Sequence, residues 1–263
     1  MNVSAISDHI VSWLTQYAKQ AKAKGFVVGV SGGIDSATTS TLCALTGLEV
    51  TLLNLPIYQA DDQLNRGLNH MNWLSKTFTN IHTHTIQLDA TFDAFKAAQV
   101  VKGSDAELTQ LALANSRARL RMATLYYTAQ CRSALVAGTG NKVEDFGVGF
   151  YTKYGDGGVD LSPIADLTKT EVWKLGEYLG VAREIVDAPP TDGLWGDNRS
   201  DEDQIGASYP ELEWAMGMHE QGKSAEAFEG REREVFETFT KFHRANKHKM
   251  DPIPVCPIPQ EWR

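Results

Sequence analysis

The chain has 263 residues and a formal net charge of −8, from 25 Lys and Arg residues against 33 Asp and Glu residues. This length is enough for one large α/β domain to bury its own core. The acidic balance disfavours a general nucleic-acid-binding protein, because such proteins need surplus cations to displace the counterions of phosphates. No apolar run approaches the roughly 18 residues that a membrane span requires. We therefore expect a globular protein with neither nucleic-acid nor membrane partners.

The cysteines and the N-terminus indicate the compartment. Cys43, Cys131 and Cys256 lie far apart and form no CxxC pair, which fits a reducing compartment and disfavours zinc and iron–sulfur sites. The N-terminal segment MNVSAISDHIVSWLTQY lacks a basic start followed by an unbroken apolar stretch, so it does not resemble a secretory signal. These features predict a cytoplasmic protein.

The first part of the chain alternates predicted helices and strands. Apolar residues at helical spacing predict a helix over 6–21, and the short apolar run at 26–30 predicts a buried strand. A helix of small residues follows and ends at Gly47. Further strands are predicted over 50–56 and 81–88.

Capping signals place the next elements. Ser104-Asp105-Ala106-Glu107 reads as a capping box that opens a long amphipathic helix over 108–129, and a fourth strand is predicted at 134–137. A second capping box at 168–171 opens a helix that ends before Gly180.

The C-terminal part is predicted to be different in character. A loop-rich region over 187–210 precedes a charged helix at about 224–245, and the chain ends in a proline-rich strip that cannot stay helical.

Strands that alternate with helices predict an α/β fold. We expect a mainly parallel, doubly wound sheet with helices on both faces and a helical C-terminal extension. The whole chain, 1–263, is predicted to be one domain, with a core at about 20–185 and a loop-rich and helical part at about 186–263. Because ligands bind at the carboxyl ends of parallel strands, the site is expected at 31–36 and 138–144.

The hexapeptide Ser31-Gly32-Gly33-Ile34-Asp35-Ser36 carries the strongest chemical signal. Adjacent glycines after a buried strand let the backbone approach an anion, and the N–H groups that open the next helix point to the same place. The loop lacks both the Gly-Lys-Ser/Thr ending of a P-loop and the G-x-G-x-x-G spacing of a dinucleotide fold. Its serine hydroxyls suit pyrophosphate oxygens, and Asp35 suits Mg²⁺. The alternative is a tight turn in which Asp35 and Ser36 only cap the helix.

The hexapeptide resembles the pyrophosphate loop of the N-type ATP pyrophosphatases, a superfamily of amidating and thiolating enzymes. Two other stretches, 138–144 and 149–160, resemble the ammonia-dependent NAD synthetases in particular. Shorter matches to the same family occur at 167–169, 190–191, 201–206 and 248–249. One departure is that many members have Gly-Thr-Asp-His after the fourth strand, whereas this chain has Gly-Thr-Gly-Asn-Lys and one extra residue before Thr152.

The resemblance implies a ligase reaction. The nicotinate carboxylate of deamido-NAD would attack the α-phosphorus of ATP, pyrophosphate would leave with Mg²⁺, and ammonia would displace AMP to give NAD. The resemblance implies Mg²⁺ as cofactor and a homodimer that builds the dinucleotide site. Free ammonia is the expected nitrogen donor, because a loop that begins near residue 31 leaves no room before it for a glutaminase domain.

The resemblance also implies roles for individual residues. ATP would be bound by Gly29, Val30, Ser31, Gly32, Gly33, Ile34, Asp35, Ser36, Thr139, Lys169 and Thr191. Deamido-NAD would be bound by Arg119, Lys153, Asp160, His248 and Lys249. The metal would be held by Asp35 and Glu144. Asp35, Lys169 and Asp156 are the predicted catalytic residues, and Asp156 or Asp160 is expected near the ammonium entry point.

Physical reasoning leaves other interpretations open for several of these residues. Arg119 lies on the apolar stripe of its helix, where it either binds a phosphate or covers apolar surface with its stem. Lys169 is predicted in a first helical turn, where the helix dipole disfavours a cation, so it has either an anionic partner or solvent exposure. The glycine-rich run at 154–160 is either a closing loop or a surface turn, and His248 and Lys249 suit a solvated helix end.

Two other functions compete with the ligase. One is a different N-type ATP pyrophosphatase, such as a GMP-synthetase-like amidase, and the other is a module that binds ATP without catalysis. The acids Asp35 and Glu144 argue against the second, because sensing alone needs no metal on the leaving pyrophosphate.

Overall fold

The computed structural model describes residues 1–101, 103–191 and 200–263. In chain order its main elements are α1 (Val3–Gln20), β1 (Gly25–Gly29), α2 (Ile34–Leu45), β2 (Glu49–Asn54), α3 (Asp61–Thr77), β3 (Ile81–Thr85), α4 (Asp89–Ala97), α5 (Ala106–Arg132), β4 (Leu135–Val136), a π-helix (Val143–Val148), α6 (Lys169–Tyr178), α7 (Arg183–Val186), α8 (Asp201–Ile205), α9 (Tyr209–Glu220) and α10 (Gly230–Met250). Short 3₁₀ turns at Ala225–Ala227 and Gln260–Trp262 flank α10.

The four strands form one parallel sheet in the order β3-β2-β1-β4. Phe26 on β1 pairs with Val50 on β2 and with Leu135 on β4. A parallel bridge between Ala137 and Leu161 continues the sheet beyond β4. The predicted parallel sheet is confirmed, although the third and fourth strands are shorter than the predicted 81–88 and 134–137.

Alternate residues of β1 bury themselves on opposite faces of the sheet. Phe26 and Val28 pack into a cluster with residues of α1, α2 and α6, whereas Val27 packs with Phe92 of α4 and Ala129 of α5. Strands buried on both faces read as continuous apolar runs, which is why the sequence shows no alternation there. The doubly wound α/β arrangement is confirmed.

The C-terminal part builds a third apolar cluster against the π-helix. Tyr209, Phe236 and Phe239 pack there with Val143 and Val148. This cluster attaches the predicted helical extension directly to the segment that follows β4. The final helix is shifted relative to the predicted 224–245, because a 3₁₀ turn occupies residues 225–227 and the helix begins only at residue 230.

The prediction of a loop-rich region over 187–210 is wrong for its second half. Ser200 caps α8 through a capping box with Asp203, and Ser208 caps α9 through a capping box with Glu211. Both Ser-x-x-acid patterns are visible in the sequence. Residues 192–199 of the predicted region lie outside the described residues.

The predicted capping box at residues 104–107 is also wrong by one position. The N-cap of α5 is Asp105, whose carboxylate accepts the Leu108 backbone N–H at 2.9 Å. Aspartate and serine are similarly good N-cap residues, so the sequence alone could not decide whether the helix is capped by Ser104 or by Asp105. The capping box formed by Thr168 and Glu171 on α6 is confirmed.

Helix α4 was not predicted, and α3 was predicted only as the connection between the second and third strands, without bounds. Across the described ranges, no helix combines the length and the apolar character that crossing a bilayer requires.

His70 on α3 should make the fold sensitive to acid. Its imidazole is buried, lies 2.9 Å from the Ser40 hydroxyl of α2, and has a pKa that burial lowers from 6.5 to about 4. The folded pKa is below the unfolded one, so the contribution is complete above pH 6.5 and is lost as pH falls toward 4. Wild type should lose about 2 kcal/mol of unfolding free energy from this group between about pH 7.5 and pH 5.

Urea unfolding at the two pH values checks this expectation. His70→Gln should be less stable at neutral pH and should show a smaller loss on acidification than wild type. His84→Gln, at an exposed position, is the matched control and should behave as wild type. An equal acid-induced loss in wild type and His70→Gln would contradict the assignment.

Candidate active site

The hexapeptide at 31–36 forms a compact loop between β1 and α2. Gly32 has φ +88°, and a Cβ there would lie 2.4 Å from the Gln63 carbonyl oxygen of α3, so only glycine fits. The Ser36 hydroxyl donates to the Gly33 carbonyl at 3.0 Å and accepts the Ser31 N–H at 3.2 Å. These contacts hold the loop at the carboxyl edge of the sheet.

The first turn of α2 is available to an anion. Its N-cap is Gly33, which has no side chain to accept hydrogen bonds from the first N–H groups of the helix. Asp35, in the first turn, does not cap the helix, because its carboxylate contacts Lys169 and Asn141 instead. The interpretation of the loop as a simple capped turn is therefore wrong.

Three distant segments meet at Lys169, the first residue of α6. Its ammonium donates to Asp35 after β1 and, at 3.0 Å, to Glu144 of the π-helix. Lys169 is only 3% exposed, so the alternative that it points into solvent is wrong. The two carboxylates offset the unfavourable placement of a cation at a helix N-terminus.

The pKa values of this triad follow from burial and from mutual attraction. Burial raises the pKa of Asp35, and Lys169 opposes that shift. Burial acts in the same direction on Glu144, but Lys169 and the Tyr209 hydroxyl outweigh it, so that pKa is lowered. Burial alone would lower the pKa of Lys169, but the two carboxylates raise it above its usual range. Lys169 is a permanent cation here.

Asn141 supports both carboxylates of the triad and was not predicted as a site residue. It is completely buried, and its amide donates to Asp35 Oδ1 at 3.3 Å. Its Oδ1 accepts the N–H groups of Val143 and Glu144, both at 3.1 Å, and so caps the π-helix. The sequence signal was an Asn just before a short helix, a common capping position.

Asp145 is a second residue that the sequence reasoning missed. A Cβ at Gly140 would meet its two carboxylate oxygens at 2.2 and 2.3 Å, so the glycine of Gly-Thr-Gly-Asn makes room for this acid. Burial, followed by repulsion from Glu144, Asp156 and Asp35, raises the pKa of Asp145 to about 8. Gly140, one of the residues that departs from Gly-Thr-Asp-His, thus makes room for Asp145 in this chain.

The triad lies in a cavity of about 690 Å³. Predicted site residues that line it are Gly29, Val30, Ser31, Gly32, Gly33, Ile34, Asp35, Ser36, Thr139, Glu144, Asp156, Lys169, Thr191 and Lys249. The same cavity has an apolar wall formed by Leu53, Leu55, Met122, Leu125 and Val159. A cavity with both a polar loop and an apolar wall suits a ligand that has phosphates at one end and a flat ring at the other.

Four of the five predicted deamido-NAD-binding residues do not line this cavity: Arg119, Lys153, Asp160 and His248. Arg119 donates to the Lys153 carbonyl at 3.3 and 3.4 Å, and the Lys153 ammonium donates to the His248 carbonyl at 2.6 Å. Asp160 lines a separate cavity of about 580 Å³ beside α1.

Asp160 also has internal partners. Its Oδ2 accepts the Val136 N–H at 2.8 Å, and its Oδ1 accepts the Tyr126 hydroxyl at 3.0 Å. The carboxylate therefore pairs with the backbone of β4, and this engagement competes with a role in binding ammonium.

Asp156 opens into the main cavity. It accepts the Thr152 N–H at 2.9 Å, and the Thr152 hydroxyl donates to Asn115 of α5 at 2.6 Å. Asp156 is exposed to the cavity, and partial desolvation of its carboxyl group there raises the pKa to about 6, with a contribution from the charge of Glu144. It is therefore a carboxylate at neutral pH and close to its titration range.

Helix α10 satisfies the end of the π-helix. The last carbonyls of any helix lack partners within that helix. Here side chains of α10 supply them: His243 Nδ1 lies 2.7 Å from Gly147 O, Asn246 Nδ2 donates to Val148 O at 2.8 Å, and Lys249 Nζ donates to Gly149 O and Tyr151 O at 2.8 Å. The segment that carries Glu144 is thus held by the C-terminal extension.

A parallel α/β sheet, an anion-binding loop at its carboxyl edge and a buried acid–lysine triad define a nucleotide-dependent enzyme that works on phosphates. The family model described as NAD synthase matches residues 6–253. The chain belongs to this family of ATP-using ligases of NAD biosynthesis.

Individual relatives agree with this family. An NH(3)-dependent NAD(+) synthetase of Archaeoglobus fulgidus is 35% identical over 262 residues, 98% of this chain and 98% of that protein. One of Carboxydothermus hydrogenoformans is 37% identical over 211 residues, 79% of this chain and 82% of that protein. A solved structure of the NMN synthetase of Francisella tularensis superposes with a TM-score of 0.84 at 32% identity and covers 99% of both chains. The resemblance stated from the sequence is confirmed.

Gly149 offers a test of the contact between α10 and the π-helix. Its φ is +64°, and a Cβ there would lie 2.4 Å from Asn246 Cβ. Gly149→Ala should destabilise the protein by about 1–3 kcal/mol more than Gly222→Ala, because overpacking adds to the cost of the left-handed backbone. Gly222 has φ +73° with nothing within 4 Å, so it isolates the backbone cost. Equal unfolding free energies in urea for the two variants would argue against a tight contact.

Removing Lys169 should leave two buried carboxylates without their cation. We expect Lys169→Met to lower the unfolding free energy by about 3–5 kcal/mol, the usual cost of breaking a buried ion pair. Lys174→Met, at an exposed position on the same helix, is the control and should change stability by less than about 0.5 kcal/mol. A Lys169→Met variant as stable as the control would show that the triad is not charged as described.

Proposed function

We propose that the protein catalyses the ATP-dependent amidation of deamido-NAD to NAD with ammonia and releases AMP and pyrophosphate. The observation that carries this proposal is the pair of carboxylates, Asp35 and Glu144, held on Lys169 beside the anion-binding loop. The names of the relatives, NH(3)-dependent NAD(+) synthetases that match nearly the whole chain, support both the reaction and the nitrogen donor.

The loop at 31–36 binds and orients the phosphates of ATP. Backbone N–H groups at the start of α2 and the Ser31 and Ser36 hydroxyls donate to the pyrophosphate that leaves. The apolar wall of the cavity packs against the adenine base, and Thr139 and Thr191 contribute further polar contacts to the nucleotide. This arrangement aligns the α-phosphorus for attack by the nicotinate carboxylate. Holding the reacting groups in this orientation accelerates the reaction.

Asp35 and Glu144 fit Mg²⁺. Both are buried oxygen ligands that already share one cation, Lys169, and Mg²⁺ in nucleotide sites takes one or two carboxylates together with phosphate oxygens. In the described residues no cluster of three or more His, Cys, Asp or Glu side chains stands ready for a metal, so the phosphates would complete the coordination. When bound, Mg²⁺ neutralises charge on the departing pyrophosphate.

Lys169 and the loop supply the remaining electrostatic stabilisation. The attack of the nicotinate carboxylate places extra negative charge on the oxygens of the α-phosphate. Lys169, a permanent cation on the cavity wall, lies where it can neutralise that charge. Closure of the glycine-rich segment 153–160 excludes water that would hydrolyse the adenylate.

Asp156 is the better candidate for handling ammonium. It opens into the cavity and carries a pKa of about 6, whereas Asp160 lies outside the cavity and pairs with β4. In this role the carboxylate attracts the ammonium ion and accepts the proton that must leave before ammonia attacks the adenylate and displaces AMP.

We also propose that two copies of the chain build the dinucleotide site. Arg119, Lys153 and His248 lie outside the cavity of one protomer, and α5, which carries Arg119, exposes Leu108, Leu111 and Tyr127. Pairing through this helix would bury the apolar side chains and bring the cations toward the second nucleotide of deamido-NAD.

The free thiols of Cys43, Cys131 and Cys256 support a cytoplasmic location.

A second acceptor has its own support. The Francisella tularensis neighbour with a TM-score of 0.84 is an NMN synthetase. Amidation of nicotinate mononucleotide would give NMN, so nicotinate mononucleotide is the second acceptor considered for this chain. Deamido-NAD and nicotinate mononucleotide share the nicotinate carboxylate, but only deamido-NAD also carries an AMP half. The ratio of their kcat/KM values therefore identifies the preferred acceptor.

A direct assay tests the proposal. Purified protein with ATP, Mg²⁺ and ammonium should form NAD from deamido-NAD with equal AMP and pyrophosphate, and glutamine should not replace ammonium. The kcat/KM for deamido-NAD should exceed that for nicotinate mononucleotide by about tenfold or more. Asp35→Asn should lower AMP formation by about 100-fold, while the exposed Asp166→Asn should retain it.

The possible failures separate the alternatives. A preference for the mononucleotide would keep the ligase chemistry and replace the acceptor. Pyrophosphate release only with xanthosine monophosphate would indicate a GMP-synthetase-like amidase. No AMP with any of these acceptors would leave a module that binds ATP without catalysis.

A further inference from the structure

Tyr209 connects the C-terminal extension to the ion triad. It is the first residue of α9, is completely buried, and belongs to the apolar cluster of the extension. Its hydroxyl nevertheless reaches the polar site, where it donates to Glu144 Oε1 at 2.5 Å. A buried tyrosine hydroxyl needs a hydrogen-bond partner, and here that partner is a carboxylate of the ion triad.

The ring of Tyr209 contacts the other member of the ion pair. Lys169 Nζ lies 4.8 Å from the ring centroid, which is a cation–π distance. The hydroxyl therefore fixes the acid while the face of the ring lies next to the cation. Trp173 of α6 packs edge-on against the same ring at 6.2 Å and limits its rotation.

The backbone of Tyr209 is also held in place. Its N–H donates to Glu202 Oε1 of α8 at 2.9 Å, and Ser208 before it forms a capping box with Glu211. The hydroxyl lies 3.4 Å from Asp201 Oδ2. These contacts fix the position of Tyr209. The Tyr209 hydroxyl therefore restrains the orientation of the Glu144 side chain.

The hydrogen-bond pattern at Glu144 indicates what this restraint achieves. Lys169 and Tyr209 both donate to Oε1, and neither uses Oε2. A carboxylate that is fixed through one oxygen presents the other in a defined direction. Metal-binding carboxylates commonly depend on such outer partners for their orientation.

We propose that Tyr209 is a positioning residue that orients Glu144 toward the divalent cation bound with ATP. The role rests on the proposed function only in requiring a cation–nucleotide complex at Asp35 and Glu144. It assigns to the C-terminal extension, outside the α/β core, a part in building the metal site.

Cation binding without turnover gives the decisive measurement. Mn²⁺ is titrated into the protein with a non-hydrolysable α,β-methylene analogue of ATP, and free Mn²⁺ is followed by electron paramagnetic resonance. Tyr209→Phe keeps the ring and removes the hydroxyl, and it should weaken Mn²⁺ binding by about 10–100-fold. Tyr178→Phe, at a 55% exposed position on α6, should bind Mn²⁺ as wild type does.

A double-mutant cycle tests whether Tyr209 acts through Glu144. Glu144→Gln should weaken Mn²⁺ binding, and adding Tyr209→Phe to it should cost much less than it does in wild type. Full additivity of the two effects would overturn the proposal. An unchanged Mn²⁺ affinity in Tyr209→Phe, even with a lowered melting temperature, would reduce Tyr209 to a packing residue and overturn it as well.

A second variant distinguishes the loss of the hydroxyl donor from a folding defect in Tyr209→Phe. Replacement of Tyr209 by 4-aminophenylalanine retains a donor at the same end of the ring and should recover most of the Mn²⁺ affinity. No recovery in this folded variant would count against the proposal. Because the titration needs no acceptor, a wild type that binds Mn²⁺ and the analogue but forms no NAD would refute the proposed reaction and leave this test intact.

Discussion

The contact of Asp35 and Glu144 with one buried ammonium is the constraint on which the rest of the site depends. An unpaired charge is expensive inside a protein, so each of the three groups requires the other two. They come from the first turn of α2, the π-helix and α6, and their meeting fixes those segments relative to one another. A buried ion pair adds little stability compared with well-packed apolar residues, so its presence favours a functional explanation.

The sequence predicts the part of the site that depends on local chemistry and sheet topology. Parallel strands end at one edge, so a glycine–serine loop after β1 and the segment after β4 had to lie together, and they do. Asn141, Asp145 and Tyr209 could not be found this way. Each acts through a contact whose partner is set by tertiary packing, and Tyr209 reaches Glu144 across 65 residues of chain. Lys169 was found only by resemblance, because its position at a helix N-terminus favours exposure and gives no sign of the two acids.

The C-terminal extension has a structural role that composition did not reveal. Lysine and histidine at the end of a charged helix usually indicate a solvated face. Here the Lys249 ammonium donates hydrogen bonds to two backbone carbonyls. Burial lowers the pKa of Lys249, although the charge of Asp156 opposes that shift. Side chains of α10 thus replace the missing partners of the π-helix, and Tyr209 of α9 fixes the acid that the π-helix carries. The extension therefore supports both the Glu144 side chain and the C-terminal end of the π-helix.

On the proposed function, the triad would keep two acids in place for a divalent cation before nucleotide binds. Asp35 and Glu144 would repel each other without a positive charge between them, and Lys169 provides one at all times near neutral pH. In the proposed reaction, Asp35 and Glu144 would hold the Mg²⁺ that a triphosphate brings, in place of part of their contact with Lys169. The Lys169 side chain would then neutralise charge on the phosphates. Asn141 and Tyr209 already hold the two acids, so only the Lys169 side chain would have to move.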